Sequence, residues 1–138
     1  MHTTAFTVTA LVAGAIEQVW DSWTNPQHII HWNFASDDWC CPSATNDLVV
    51  GGKFNWRMES KDGSLGFDFE GMYTAIQPFK QIDYVLADER TISVKFEEVA
   101  GGIQVTEIVD PEHENTVEMQ QMGWQAILNN FKRHAERE

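Results

Sequence analysis

Cysteine is scarce in this sequence: two in 138 residues, adjacent at Cys40 and Cys41. Neighbouring cysteines bridge each other only with strain, so a disulfide framework is excluded and a reducing, cytoplasmic setting is expected. Bases are few as well. Nine Lys and Arg stand against 21 Asp and Glu, for a formal net charge of −12. Gripping phosphates needs clustered cations and a positive field, so neither nucleic acid nor an anionic membrane surface is an expected partner. No apolar run approaches the roughly 20 residues of a membrane span. The stretch from Ala10 to Ile16 is short and runs into Glu17. Met1-His2-Thr3-Thr4 lacks the positive charges that open a secretory leader, so none is expected. Repeats, low-complexity tracts and linker-like stretches are missing too, and residues 1–138 read as one domain.

What is present is apolar and aromatic. The hydrophobic fraction is 43%, with six Trp, eight Phe and two Tyr. A chain of this length buries about 70% of its unfolded surface, so it can build a core without covalent staples. The aromatics either fill that core or line a cavity in it.

Residues 4–12 are rich in β-branched and apolar types and predict a first strand. After Gly14 the period changes: Ile16, Val19, Trp20 and Trp23 share one face of a short helix. Asn25-Pro26 ends it and opens a second short helix carrying Ile29, Ile30 and Trp32. Residues 33–46, with Asp37, Asp38, Pro42, Ser43 and Asn46, read as a loop. From there to residue 109 the period is two. Phe54, Trp56 and Met58 alternate with charged or polar neighbours, as do Phe67 and Phe69; the alternation slips at Gly71, where a bulge is expected. Strands follow around Ile82–Leu86, Ile92–Phe96 and, after Ala100-Gly101-Gly102, Ile103–Val109. Asn115 and Glu118 form a candidate capping box for a long last helix, whose stripe holds Val117, Trp124, Ile127, Leu128, Phe131 and Ala135. Met119 and Met122 widen that stripe, and Gly123 inside it suggests a close approach. The order is strand, two short helices, about six antiparallel strands, long helix: an α+β chain whose sheet must cover one apolar face.

Four blocks in this order carry a resemblance. They are Val19-Trp20-Asp21-Ser22-Trp23-Thr24-Asn25-Pro26 with Trp32 beyond, Gly51-Gly52-Lys53-Phe54, Gly71-Met72-Tyr73-Thr74-Ala75-Ile76-Gln77-Pro78, and Gly123-Trp124 through Leu128 to Phe131. Together they resemble the family named for the activator of the ninety-kilodalton heat-shock protein's ATPase, within the START-like superfamily. The resemblance implies a helix-grip fold, like that of the birch pollen allergen: a curved antiparallel sheet of about six to seven strands around a long C-terminal helix. It also implies a hydrophobic cavity between sheet and helix, used across the superfamily for lipids, polyketides and flavonoids. Fold does not fix function, and the superfamily holds carriers, cyclases, hydrolases and co-chaperones. The sequence departs from the family pattern at Asn33-Phe34, at Val49-Val50 and in the loop Asp37–Pro42, so ligand identity does not carry over.

The expected occupant is a small hydrophobic molecule, bound without covalent chemistry. Candidate lining residues are Trp32, Trp56, Met58, Phe67, Phe69 and Tyr84, together with Phe96, Met119, Met122, Trp124 and Phe131. Trp56, Tyr84 and Trp124 have polar tips that could orient a ligand, whereas Trp20 and Trp23 are assigned to structure. Glu107 is a weak candidate for general acid/base chemistry. If Val105 and Val109 face inward, alternation carries Glu107 in with them; the opposite register, or a bulge, turns it to water. The alternative functions are therefore a cyclase- or hydrolase-type enzyme using that carboxyl, or a co-chaperone-like stress-response module meeting a protein partner through acidic strands. For the last, the separate amino-terminal domain of the eukaryotic activator is not expected in 138 residues, which weakens that reading. His28 and His31, followed by Cys40 and Cys41, match no zinc spacing, and no metal or cofactor is expected. Phosphate loops, G-x-S-x-G elbows and H-E-x-x-H are missing.

Overall fold

The computed structural model describes residues 5–137. Strand β1 (Phe6–Val12) alternates strictly, with Phe6, Val8, Ala10 and Val12 buried. Thr4, the first residue expected in that strand, lies outside the described residues. Helix α1 (Ile16–Thr24) buries Val19, Trp20 and Trp23 on one face. It stops at Asn25, whose side chain then accepts from the Gln27 amide (3.0 Å) and caps α2 (Pro26–Ile29), with Pro26 in its first turn. The second helix is shorter than expected, since Ile30 to Trp32 already lie in a turn.

Six strands follow: β2 (Trp39–Asn46), β3 (Lys53–Ser60), β4 (Gly66–Gln77), β5 (Gln81–Leu86), β6 (Thr91–Val99) and β7 (Gly102–Val109). They join β1 in one curled antiparallel sheet of order β1-β7-β6-β5-β4-β3-β2. Helix α3 (Val117–Glu136) lies in its concave face, which is the helix-grip arrangement.

Strand β2 corrects the loop expected at 33–46. It is an edge strand bonded only to β3, and its register shifts between Cys40 and Ser43. Pro42 sits inside that shift, where its missing N–H costs no ladder bond. With an irregular register the strand never shows the period that marks its neighbours. The expected bulge at Gly71 moves as well. Gly71 stays in register between Phe54 and Leu86, and the slip falls between Tyr73 and Ala75. Gly71 is needed for room: a Cβ there would clash with the Val85 carbonyl oxygen and come within 3.0 Å of the Phe54 ring.

Helix α3 also differs at its start. Thr116, not Asn115, is the cap, accepting from the Met119 amide at 3.1 Å. Asn115 is occupied in the preceding turn, where Glu112 receives its N–H at 2.8 Å. Gly123 has no close neighbour, since a Cβ there would meet nothing within 4 Å. Along its length α3 seals the free edge of the sheet. Gln121, Gln125 and Lys132 donate to the carbonyls of Thr7, Thr9 and Leu11 (3.0, 2.9 and 2.7 Å). Between the first two the repeats match, four helical residues rising about 6 Å and two strand residues about 6.8 Å; Lys132, seven residues on, reaches Leu11 with its longer side chain.

Candidate functional site

Between the sheet and α3 the core is incompletely filled, leaving a cavity of about 200 Å³. The sheet side is built by inward positions of successive strands. Trp56 and Met58 come from β3, Phe67 and Phe69 from β4, Tyr84 from β5 and Glu107 from β7. The helical side is Trp23 of α1, Trp32 and Asn33 after α2, and Trp124 and Ile127 of α3. Arg90, in the turn between β5 and β6, reaches the rim, and Phe67 is 50% exposed there.

The aromatic walls hold one another in place. Trp32 meets Trp56 edge-on (ring centroids 6.2 Å apart), Trp56 tilts against Phe69 (5.6 Å), and Phe69 meets Trp124 edge-on (5.9 Å). Such offset and edge-to-face pairs suit the ring quadrupole. Two indole N–H groups are spoken for by the protein: Trp32 donates to the Ser22 carbonyl (2.9 Å) and Trp56 to Asn46 Oδ1 (3.0 Å). Asn46 also accepts from the Tyr73 hydroxyl and donates to the Thr24 carbonyl, tying this wall to α1.

Glu107 is the buried acid of the lining. It is 2% exposed, between Val105 and Val109 on the inward face of β7, and pairs across the sheet with Val8 on β1 and Val94 on β6. Neither pairing shows a register shift, which decides the open question of its direction. Among the described residues no group donates a hydrogen bond to its carboxyl. Burial alone pushes its pKa up to about 8, because an ion in a low-dielectric wall loses its hydration. Tyr84 is likewise without a hydrogen-bond partner among the described residues. Burial, with the Glu107 charge adding to it, holds its hydroxyl well above the usual tyrosine range.

Seven expected lining residues thus come together: Trp32, Trp56, Met58, Phe67, Phe69, Tyr84 and Trp124. Four do not. Met119 and Met122 are 61% and 73% exposed, because the buried stripe of α3 runs through Gln120, Leu128, Phe131 and Ala135 and leaves both on the solvent side. Phe131 is fully buried against Trp23 and Trp32 (4.8 and 5.0 Å), and Phe96 packs on Trp20 and Trp23 (5.2 and 5.9 Å). Both stand behind the wall. Trp23, assigned to structure alone, proves to line the cavity as well. Asn33, Arg90 and Ile127 were not anticipated. The one available signal was at Asn33, where the sequence departs from the family pattern.

The remaining candidates lie elsewhere. His28 and His31 meet His134 of α3: His28 Nδ1 is 2.8 Å from His134 Nε2, and the His31 ring stacks at 5.8 Å. Among the described residues no cluster suited to a metal ion forms. Burial pushes the Cys41 thiol up to about 11, so at neutral pH it is an inert thiol. No described helix is long and apolar enough to cross a membrane.

Known proteins carry the same architecture. A solution structure of an AHSA1-like protein from Aeromonas hydrophila is 42% identical, with 96% of this chain and 92% of that one covered and a TM-score of 0.91. A protein from Cytophaga hutchinsonii is also 42% identical, over 97% and 92% of the two chains, with a TM-score of 0.80. At 15% identity a protein from Chromobacterium violaceum shares the fold, with a TM-score of 0.84 over 97% and 99%. No functionally curated protein matches. Residues 13–136 match the family described as Activator of Hsp90 ATPase homolog 1-like protein, and the chain belongs to that family.

Proposed function

We propose that this chain binds a small, ring-bearing hydrophobic molecule in the cavity between sheet and α3, without covalent chemistry. The observation that carries the reading is the cavity itself: about 200 Å³ of unfilled core, walled mainly by aromatic side chains. Close packing is the rule in protein interiors, and a void this large loses contacts that an occupant would restore. An apolar void of about 150 Å³ takes up benzene, whereas drug-sized ligands occupy about 300–1,000 Å³. One or two rings therefore fit this site better than a long-chain lipid, a flavonoid or a tetracyclic polyketide. Apolar burial, at about 25 cal/mol per Å², drives the binding.

A panel of one- and two-ring compounds, followed by thermal shift and by indole N–H resonances in NMR, tests this. A binder at 100 times its dissociation constant adds about 2.7 kcal/mol to stability and moves the Trp124 resonance. A panel that moves neither overturns the reading.

The inward Glu107 favours a second reading, proton transfer to or from a bound compound, since a carboxyl of pKa about 8 is within range of acid/base work near neutrality. Chemical conversion of a binder, detected by mass spectrometry and abolished in Glu107→Gln, would select it over simple binding.

A further inference from the structure

The cavity contains an unanswered electrostatic demand. Glu107 is buried, its carboxyl has no donor among the described residues, and its neighbours in the sheet are Val8, Val94, Val105 and Val109. An apolar residue would fill that position at lower cost, because a buried carboxyl without a partner is destabilising whether charged or neutral. Among the described residues the only cation on the lining is Arg90, and its charge is engaged at the rim. Its Nε donates to Asp88 at 2.8 Å, and it lowers the pKa of Asp110 and Glu112. Desolvation is the one influence registered at Glu107. The occupant of the cavity is placed to bring the donor that the protein does not supply.

Three observations narrow what that partner is. A hydrogen-bond donor answers the carboxyl, and a charged donor answers it most strongly. The walls present Trp32, Trp56, Phe69, Tyr84 and Trp124, whose π faces attract cations. The molecule carries a net charge of −12, with Asp88, Asp110 and Glu112 around Arg90, a field that concentrates cations and repels acids.

We propose that the occupant of this cavity is an organic cation, a protonated amine on a one- or two-ring hydrophobic body, with its ammonium against Glu107. The proposal rests on the cavity reading above and adds the charge of the ligand to it. Binding the ammonium requires the carboxylate, so the proton that Glu107 carries at neutral pH leaves to solvent as the amine enters. With a pKa of about 8, close to one proton is released per amine at pH 7. Affinity then rises about tenfold per pH unit between 6 and 7 and levels off above 8. The other groups facing Glu107 do not titrate in this range. Tyr84 on β5 is held far above it, Arg90 is turned to Asp88 at the rim, and β1, β6 and α3 present only apolar side chains or indole there.

Isothermal titration calorimetry compares 1-naphthylmethylamine with its neutral twin 1-naphthylmethanol and with 1-naphthoic acid, in two buffers of different ionisation enthalpy. The expected result at pH 8 is an amine at least tenfold tighter than the alcohol, with the acid weakest. At pH 7 the buffer dependence should report about one proton released by the amine and none by the alcohol. In Glu107→Gln the amine should bind no tighter than the alcohol and release no proton. An alcohol or acid as tight as the amine, an amine bound without proton release, or a preference that survives in Glu107→Gln overturns the proposal and leaves the cavity reading standing. Binding of none of the three overturns both.

Discussion

At Glu107 the chain places a carboxyl where alternation asks for a valine, and the consequence is a definite pH dependence. Its ordinary value is 4.5 and the folded value is about 8, so between these the folded state holds more protons than the unfolded one. Stability from this group is therefore complete below about pH 4.5 and is lost as pH rises through about 8. The loss is on the order of 5 kcal/mol. Urea unfolding from pH 5 to 9 should show the midpoint falling with pH in the native sequence and a flatter line in Glu107→Gln. An equally steep fall in the variant would place the effect elsewhere. The sequence offered both registers for β7, because Gln104, Thr106 and Ile108 also alternate. Only the unbroken pairing of Val8 and Val94 with Glu107 turns the carboxyl inward.

Helix α3 shows what one element can reveal before it is folded. Its period was legible, and Leu128, Phe131 and Ala135 are buried as that period requires. Its solvent side was misjudged: at about 100° per residue Met119 and Met122 fall more than about 90° from the centre of that stripe, so the helical period itself leaves them exposed and the expected widening does not follow from it. Gly123 exposes the difference most cleanly. With open space where its Cβ would stand, Gly123→Ala should stabilise by about 1 kcal/mol through helix propensity and a less disordered unfolded chain. Thr116→Ala should cost about 1 kcal/mol by leaving the Met119 amide without its cap. Paired urea melts check both signs, and a destabilising Gly123→Ala would mean that backbone approaches the helix there after all. Strand β2 is the opposite case. Its shifted register around Pro42 leaves no period to read, so its pairing with β3 emerges only when the sheet forms.

For the molecule as a whole, acids and aromatics separate across one curved sheet. Asp68, Glu70 and Glu97 are exposed, while Phe54, Trp56 and Tyr84 point inward. Asp68 and Glu59 share Arg57 at 3.4 and 3.0 Å, but at −12 most acids have no base to meet. Self-repulsion of this kind acts against the compact state and is screened by salt, whose Debye length falls from about 30 Å at 0.01 M to about 8 Å at 0.15 M. The melting temperature should therefore rise with sodium chloride over that range. A fall would show that attractive pairs such as these outweigh the net repulsion.

The family, the α+β class, the period of most strands and the aromatic supply of the site were determined by the sequence itself, because periodicity and turn residues act locally along the chain. Which aromatics surround a cavity, and which only back it, was decided by the tertiary structure. Phe96 and Phe131 obey the same alternation or helical period as Trp56 and Trp124, and one-dimensional spacing cannot tell the front of a wall from its back. The direction of Glu107 was decided in the same way. A strand's facing is a property of its partners, and those partners lie about a hundred residues away, at Val8, or across a turn, at Val94.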